Sequence, residues 1–184
     1  SDATVERLAE LPGIASRDFT IFWDNAYAVH TLTDTPDTLA NIMAFAEAKG
    51  TSDGLVMFAS TSKITFAGAG VAFLATSEAN LKGFEAYLTP SVIGFDKVNQ
   101  LRHARFLPND AAVADLMQQH RALIAPKFEL VESKLSAALK GKGIASWTRP
   151  KGGYFVSLDT LPGLASETIR LAAEVGVKLT PAGA

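Results

Sequence analysis

The residues best suited to chemistry follow an apolar segment in the first half of the chain. Residues 54–59 form a short apolar run that predicts a buried strand, and Ser60, Ser62 and Lys63 come after it. We expect an apolar setting for this lysine, which lowers the pKa of an amine and makes it a nucleophile. The two hydroxyls, beside a backbone that Gly70 leaves open, can hold a phosphate. An amine near a phosphate site predicts pyridoxal 5′-phosphate (PLP), and an ordinary turn is the alternative.

A carboxylate and a phenol follow an earlier strand. Residues 19–23 predict this strand, Asp24 comes directly after it, and Tyr27 lies three positions further on. Open α/β sheets bind ligands at the C-terminal ends of their strands, so Asp24 and Lys63 can meet at one edge. A carboxylate keeps the pyridine nitrogen of PLP protonated, and a phenol can bond the ring oxygen. As alternatives, Asp24 caps a turn and Tyr27 only packs, with its hydroxyl in water.

The composition argues against several other chemistries. The chain has 184 residues, 48% of them hydrophobic, a formal net charge of −2 and no cysteine. Disulfides, thiolate metal sites and cysteine nucleophiles are therefore excluded. The three histidines lack the spacing of a metal site, and His30 and His120 are expected to be structural. Without a charge block or a long apolar run, we expect a cytoplasmic protein with no nucleic-acid partner and no membrane segment.

Strand and helix patterns alternate along the chain. The helices are predicted over residues 2–11, 37–49, 78–88, 110–140 and 165–174. The strands are predicted over residues 19–23, 54–59, 70–75, 145–149, 154–158 and 177–179. A kink is expected at Pro126 within the long helix. The pattern predicts an α/β fold, with a sheet covered by helices and then a small α+β unit that begins near residue 108.

Several motifs resemble the fold-type I PLP-dependent aminotransferases, in the aspartate aminotransferase-like branch. The motifs are Asp24-Asn25-Ala26-Tyr27, Ser60-Thr61-Ser62-Lys63, Lys97-Val98-Asn99-Gln100-Leu101-Arg102-His103, Pro150-Lys151-Gly152-Gly153-Tyr154-Phe155 and Leu179-Thr180-Pro181-Ala182-Gly183-Ala184. The resemblance spans essentially the whole chain. It implies part of a three-layer, PLP-binding large domain over residues 1–108. Residues 109–184 would then form the interdomain helix and an incomplete small domain.

The resemblance also implies a role for each candidate residue. Lys63 is expected to be the Schiff-base lysine and to move the proton during catalysis. Asp24 would pair with the ring nitrogen, and Tyr27 would bond the ring oxygen. Ser60 and Ser62 would hold the phosphate.

The chain departs from the family pattern in one residue and in its extent. Val71 stands where most members carry a phosphate-binding arginine, which leaves the phosphate charge to Lys97, to Arg102 or to a partner subunit. The amino-terminal half of the family and its substrate-binding arginine lie outside this sequence, which also begins at Ser1 without a methionine. We therefore expect a carboxy-terminal portion of a longer enzyme, inactive alone.

The implied reaction is amino transfer. The donor would be an aspartate- or glutamate-type amino acid, the acceptor a 2-oxo acid, and the full-length protein a homodimer. The alternative is a PLP-sensing, aminotransferase-like domain of a transcriptional regulator, which a winged-helix segment upstream would indicate.

Overall fold

A computed structural model describes residues 1–16 and 18–180. The chain divides into two compact units, Ser1–Val29 with Asp37–Gln118 and His30–Pro36 with Gln119–Ala184. The first unit therefore continues past the boundary predicted near residue 108, and a short early segment belongs to the second unit. That the two parts are a PLP-binding large domain and an incomplete small domain stays a prediction.

The first unit contains a mixed three-stranded sheet in the order β1-β2-β3. Its strands are β1 (Ile21–Asp24), β2 (Leu55–Ser60) and β3 (Ala72–Thr76). β1 runs parallel to β2, and β3 runs antiparallel to β2. The sequence prediction of these three strands is confirmed, with bounds that differ by one or two residues.

One face of this sheet packs on helices α1 (Asp2–Ile14) and α2 (Ile42–Lys49). The core cluster between them consists of the buried side chains of Ala9, Ile42, Ala46 and Leu55. Ile21, Trp23 and Met57 pack against this cluster from the sheet. Burying a large aliphatic side chain stabilises a fold by about 1.5–3 kcal/mol. This layer therefore holds β1 and β2 in place.

Helix α2 begins later than predicted because Asn41 caps it. The Asn41 side chain accepts a hydrogen bond from the backbone N–H of Ala44 at 3.2 Å. This bond satisfies one of the N–H groups that a helix start leaves without a partner. At the other end Gly50 has φ 68°, a left-handed conformation that favours glycine and stops the helix. The prediction of helix over residues 37–41 is wrong.

Two further helices follow β3 in the first unit, α3 (Glu78–Ser91) and α4 (Lys97–Phe106). α3 was predicted to end before Pro90, but the helix includes this proline in its last turn. The Thr89 hydroxyl donates to the carbonyl of Glu85 at 2.7 Å, one turn before the proline, which itself has no N–H to donate. No helix was predicted over α4, whose sequence is mostly polar.

The second unit contains most of the long helix α5 (Asp110–Leu139), a two-stranded sheet and helix α6 (Ala165–Glu174). α5 is one continuous helix that includes Pro126, and the predicted kink there stays a prediction. The sheet pairs β4 (Ala145–Trp147) with β5 (Leu158–Thr160) in antiparallel fashion.

The second strand of this hairpin was predicted over residues 154–158, and most of that prediction is wrong. The intervening loop pairs instead with an earlier part of the chain. Leu32 N–H donates to the carbonyl of Lys151 at 2.8 Å, and Gly153 N–H donates to that of His30 at 2.8 Å. The strand predicted over residues 177–179 is also wrong, because these residues are irregular.

Candidate functional site

The sheet places Asp24 and Ser60 at one edge and on one face. Asp24 is the last residue of β1 and lies opposite Phe58 of β2, and Ser60 ends β2 two residues later. Residues paired across strands share a face of the sheet, and so do residues two apart on one strand. Asp24, Phe58 and Ser60 therefore lie on the face opposite the helical core. The carboxylate and the hydroxyl follow parallel strands, so they lie at the same end of the sheet.

Tyr27 lies in the turn that follows β1. Asn25 N–H donates to the carbonyl of Phe58 at 2.8 Å, which continues the pairing with β2 one residue beyond the strand. Ala28 N–H then donates to the carbonyl of Asn25 at 3.3 Å and closes the turn. Asp24 is exposed, and Tyr27 is half-buried. The turn thus keeps the tyrosine near the strand end that carries Asp24.

Ser60 and Ser62 lie side by side. Their hydroxyl oxygens are 2.7 Å apart and hydrogen-bonded to each other, and both residues are half-buried. Two adjacent hydroxyls can each turn a proton toward an anion placed beside them. The pair has the donor chemistry that a phosphate requires.

Lys63 lies in a closed loop that we call the lysine turn, residues 61–71. The N–H groups of Ile64 and Thr65 donate to the carbonyl of Thr61 at 2.9 and 2.8 Å, which winds residues 61–65 into a helical turn. Lys63 is exposed on this turn. The expectation of an apolar setting is therefore wrong for this chain, because Lys63 follows the end of β2 and its side chain is exposed to solvent on the lysine turn.

The two ends of the lysine turn are bonded to each other. Thr61 N–H donates to the carbonyl of Val71 at 2.9 Å, and Val71 N–H donates to Oγ1 of Thr61 at 2.8 Å. A Cβ atom added to Gly70 would lie 2.9 Å from the backbone nitrogen of Ser62. Only glycine permits this approach of the two backbones. The turn can therefore present Ser62 beside Ser60.

Helix α4 contacts the lysine turn through two side chains that sequence reasoning did not select. The Asn99 amide donates to the carbonyls of Ala69 at 2.9 Å and Gly70 at 3.2 Å. His103 Nε2 lies 3.0 Å from Oγ1 of Thr61 and 2.9 Å from Oγ1 of Thr65. Asn99 and His103 are four residues apart, the spacing that places side chains on one helix face. A helix prediction over this segment would have paired them.

The two residues expected to replace the missing arginine both belong to α4. Lys97 is its first residue and is exposed. Arg102 lines a cavity of about 150 Å³ together with Thr65, Asn99 and His103. Arg102 is thus placed beside the lysine turn.

Charged groups with shifted pKa values lie on helices and loops outside this edge of the sheet. Hydrogen bonds from Lys49 to Glu10 and Glu6 raise the pKa of the Lys49 amine. The hydrogen bond from Trp147 lowers the pKa of Glu132, with further contributions from Ser136 and Arg149. These pairs tie secondary-structure elements together within each unit.

The histidines and acidic residues show no metal site in the described part of the chain. His30 is buried, and its ring meets Tyr154 edge-on with the centroids 4.8 Å apart. Within residues 1–16 and 18–180 there is no group of three or more histidine, cysteine, aspartate or glutamate residues that could hold a metal ion. Over the same residues, no helix is both long and apolar enough to cross a bilayer.

Comparison with known proteins identifies close relatives. The family model for aspartate amino-transferase matches residues 1–184. An aspartate aminotransferase of Corynebacterium glutamicum is 48% identical over 169 residues, which are 92% of this chain and 39% of that protein. A crystal structure of an aspartate transaminase from the same species has a TM-score of 0.92 at 45% identity, and the match covers 100% of this chain and 43% of that chain.

A more distant structure shares the fold. The α-aminoadipate aminotransferase of Thermus thermophilus, in complex with N-(5′-phosphopyridoxyl)-L-leucine, has a TM-score of 0.76 at 22% identity. The match covers 98% of this chain and 44% of that chain. The chain thus spans less than half the length of the relatives that it matches.

Proposed function

Because the chain belongs to the aspartate aminotransferase family, we propose that it is part of a PLP-dependent aminotransferase with Lys63 as its catalytic lysine. The whole protein would transfer the amino group of an aspartate- or glutamate-type amino acid to a 2-oxo acid. The observation that carries the proposal is the placement of Asp24 and Ser60 on one face and at one end of two parallel strands, directly before the lysine turn. The chain spans less than half of its relatives, so we expect it to be inactive alone.

The residues present fit the cofactor at both of its ends. Ser60 and Ser62 offer two adjacent hydroxyls, and the close packing of Gly70 on the Ser62 backbone helps to hold Ser62 beside Ser60. Asp24 offers a carboxylate at the same edge of the sheet. The site therefore has phosphate donors at one strand end and a partner for a ring nitrogen at the neighbouring one.

Each residue would have a distinct task. PLP, when bound, supplies an electron-withdrawing ring that stabilises negative charge on the substrate Cα. Asp24 would hold a proton on the ring nitrogen, and the Tyr27 hydroxyl would donate to the ring oxygen. Lys63 Nζ would hold the cofactor through its aldehyde carbon. As a free amine, the same Nζ would be the base that takes the proton from the substrate Cα and carries it.

The exposure of Lys63 indicates what the rest of the protein must supply. A catalytic amine needs a setting that excludes water and lowers its charge stabilisation. In this chain the lysine is exposed on the lysine turn. We assign the covering surface to the remaining length of the protein and to a second subunit of a homodimer. A cytoplasmic location, the two domain roles and the homodimer itself belong to the same proposal.

The negative charge of the phosphate needs a positively charged partner. Residue 71 cannot supply it, because it is valine in this chain. Arg102 is the better placed of the two candidates, because it lines the cavity that Thr65 also lines. A guanidinium can bind a phosphate through two parallel hydrogen bonds, which an ammonium cannot do. We therefore propose that Arg102, rather than Lys97, supplies the positive charge that binds the phosphate.

The alternative of a PLP-sensing regulator would use the same residues without turnover. The relatives compared above are named as aminotransferases or transaminases. These names favour the enzyme over the regulator.

Amino transfer from aspartate to 2-oxoglutarate by the full-length protein tests the proposal. We expect Lys63→Ala to lower the rate by about a thousandfold or more, since it removes both the covalent link and the base. Lys82→Ala is the matched control, because this exposed lysine of α3 pairs with Glu78 of the same helix. A Lys63→Ala variant with the parent rate would contradict the proposal. A parent protein that binds PLP at Lys63 without turnover would favour the regulator.

A further inference from the structure

We infer that helix α4 fixes the lysine turn, with His103 and Asn99 as positioning residues for Lys63 and Ser62. The inference rests on the proposed function for its consequence in catalysis, but its structural part stands on contacts within the first unit. The two α4 side chains bond to the lysine turn itself, and both act on Lys63 through the backbone and the threonines that carry it.

Asn99 fixes the C-terminal end of the lysine turn. Its amide nitrogen donates to the carbonyls of Ala69 and Gly70, immediately before Val71. Val71 in turn pairs with Thr61 in both directions, at 2.9 and 2.8 Å. A shift of α4 relative to residues 69–70 would therefore be passed on to the first residue of the turn.

His103 fixes the N-terminal end of the lysine turn. Its Nδ1 lies 2.9 Å from the Asn99 carbonyl, which can only accept, so this nitrogen carries a proton. In the neutral ring Nε2 is then an acceptor, and the hydroxyls of Thr61 and Thr65 can donate to its lone pair in turn, because Thr65 Oγ1 also has the carbonyl of Thr61 as an acceptor at 3.1 Å. These two threonines flank Ser62 and Lys63 in the sequence. One imidazole nitrogen thus holds both sides of the segment that carries the candidate catalytic amine.

Thr61 connects the two contacts. It is 9% exposed, and its Oγ1 accepts from Val71 N–H while its own proton can go to His103. Buried polar groups joined in this way favour one arrangement, because each loses a partner if another moves. A lysine on an exposed turn would otherwise sample many positions, and a catalytic group must be held within a fraction of an ångström. We conclude that the rigidity of the turn comes from α4.

Amide hydrogen exchange in the full-length protein without added PLP tests the structural part. Local opening of the turn should expose the bonded N–H groups of Ile64, Thr65 and Val71. For His103→Phe, which keeps a ring but removes the bonds to both threonines and to the Asn99 carbonyl, we expect their exchange to become about tenfold faster. His103→Gln should restore most of the protection, because its amide can accept from the threonine hydroxyls. Gln100→Ala, at an exposed position of α4, is the control and should leave the exchange unchanged.

A second readout connects the turn to the amine. After addition of PLP and reduction with borohydride, the share of adduct on Lys63 relative to the other lysines is measured by peptide mass spectrometry. We expect this share to fall several-fold in His103→Phe and to recover in His103→Gln, an outcome that a general loss of stability would not produce. Thr65→Val, which removes one hydroxyl and keeps the side-chain shape, provides the same test with a smaller effect if His103→Phe does not fold.

The outcomes separate this inference from the proposed function. Unchanged exchange in His103→Phe, or an equal change in Gln100→Ala, would overturn the role of α4. An unchanged Lys63 share in His103→Phe would overturn the positioning role. Failure of the parent protein to form an adduct at Lys63 would instead overturn the proposed function, and the exchange measurement would still decide whether α4 fixes the turn.

Discussion

The two faces of the β1–β2 pair differ in what their side chains do. On one face Leu55 is 1% exposed and packs on Ile42 of α2, which is 0% exposed. On the other face Phe22 is 72% exposed, although its ring meets Phe58 edge-on at 5.4 Å. Strand alternation therefore separates the residues that stabilise the first unit from those that can do chemistry. We therefore expect substitutions on the packed face to lower the stability of the fold, and substitutions on the opposite face to impair cofactor binding or catalysis.

Among substitutions on these two faces, the largest effect on function is expected where β1 ends, on the face opposite the helices. Asp24→Asn should lower the amino-transfer rate of the full-length protein by about a hundredfold or more, because the amide cannot keep the ring nitrogen protonated. The Lys63 adduct with PLP should still form, and the free energy of unfolding should stay within about 0.5 kcal/mol of the parent, since Asp24 is exposed. Steady-state kinetics and borohydride trapping measure the two effects.

Asp159→Asn is the matched control for that change, because it alters an exposed strand carboxylate in the second unit. Equal rates in Asp24→Asn and the parent would remove Asp24 from its role.

The packed face should show the opposite profile. Ile42→Ala should lower the free energy of unfolding of this chain by about 3 kcal/mol, through lost burial and the cavity left behind. Phe22→Ala should cost less than about 1 kcal/mol, because this ring is largely in water and makes one edge-on contact. Urea unfolding followed by circular dichroism measures both. Equal losses for the two variants would contradict the division between the faces.

A smaller effect is expected for the phosphate donors. Ser60→Ala and Ser62→Ala should each weaken PLP binding by the full-length protein by about tenfold, since each removes one hydroxyl from an anion. Ser133→Ala, at an exposed position of α5, is the control. Titration of the bound cofactor by absorbance gives the Kd. If neither variant binds more weakly than Ser133→Ala, the serine pair is not the phosphate site.

The smallest effect is expected where α1 and α2 are joined by charge. Lys49 pairs with Glu10 at 2.7 Å and Glu6 at 3.2 Å, and these hydrogen bonds raise the pKa of its amine above the ordinary value of a lysine. A raised folded-state pKa stabilises the protein fully below the unfolded value, and this contribution is lost as the pH rises through the folded value. The pair is solvent-exposed, so the effect on Tm is small.

The measurement compares the parent with Lys49→Met from pH 7 upward. We expect the parent to have the higher Tm up to about pH 10 and the difference to shrink above it. A difference that stays constant through this range would show that the methylene packing of Lys49, and not its charge, is what the substitution removes.

The sequence predicted what depends on local patterns. The apolar runs before Asp24 and Ser60 gave β1 and β2, because short continuous apolar segments are typical of buried strands. Asp24 and Lys63 were also expected to meet at one edge, because the C-terminal ends of parallel strands lie together, and this meeting stays a prediction. The family resemblance then implied roles for residues that the pattern alone left open.

The errors come from interactions between distant parts of the chain. α4 was missed because its contacts with the lysine turn are made by Asn99 and His103, polar residues that give no apolar period. The second hairpin strand was misplaced because the loop before it bonds to His30 and Leu32, more than a hundred residues earlier. The exposure of Lys63 could not be inferred from its position after a buried strand, since the turn that follows sets its direction.

The most direct test of the site is the identity of the lysine that binds PLP. The full-length protein is incubated with PLP, reduced with borohydride and digested. The mass of each lysine-containing peptide is then measured by mass spectrometry. We expect nearly all of the added mass on Lys63, and its loss in Lys63→Ala with no compensating adduct elsewhere. An adduct spread over other lysines in the parent, with Lys63 unmodified, would contradict the assignment of this edge of the sheet as the cofactor site.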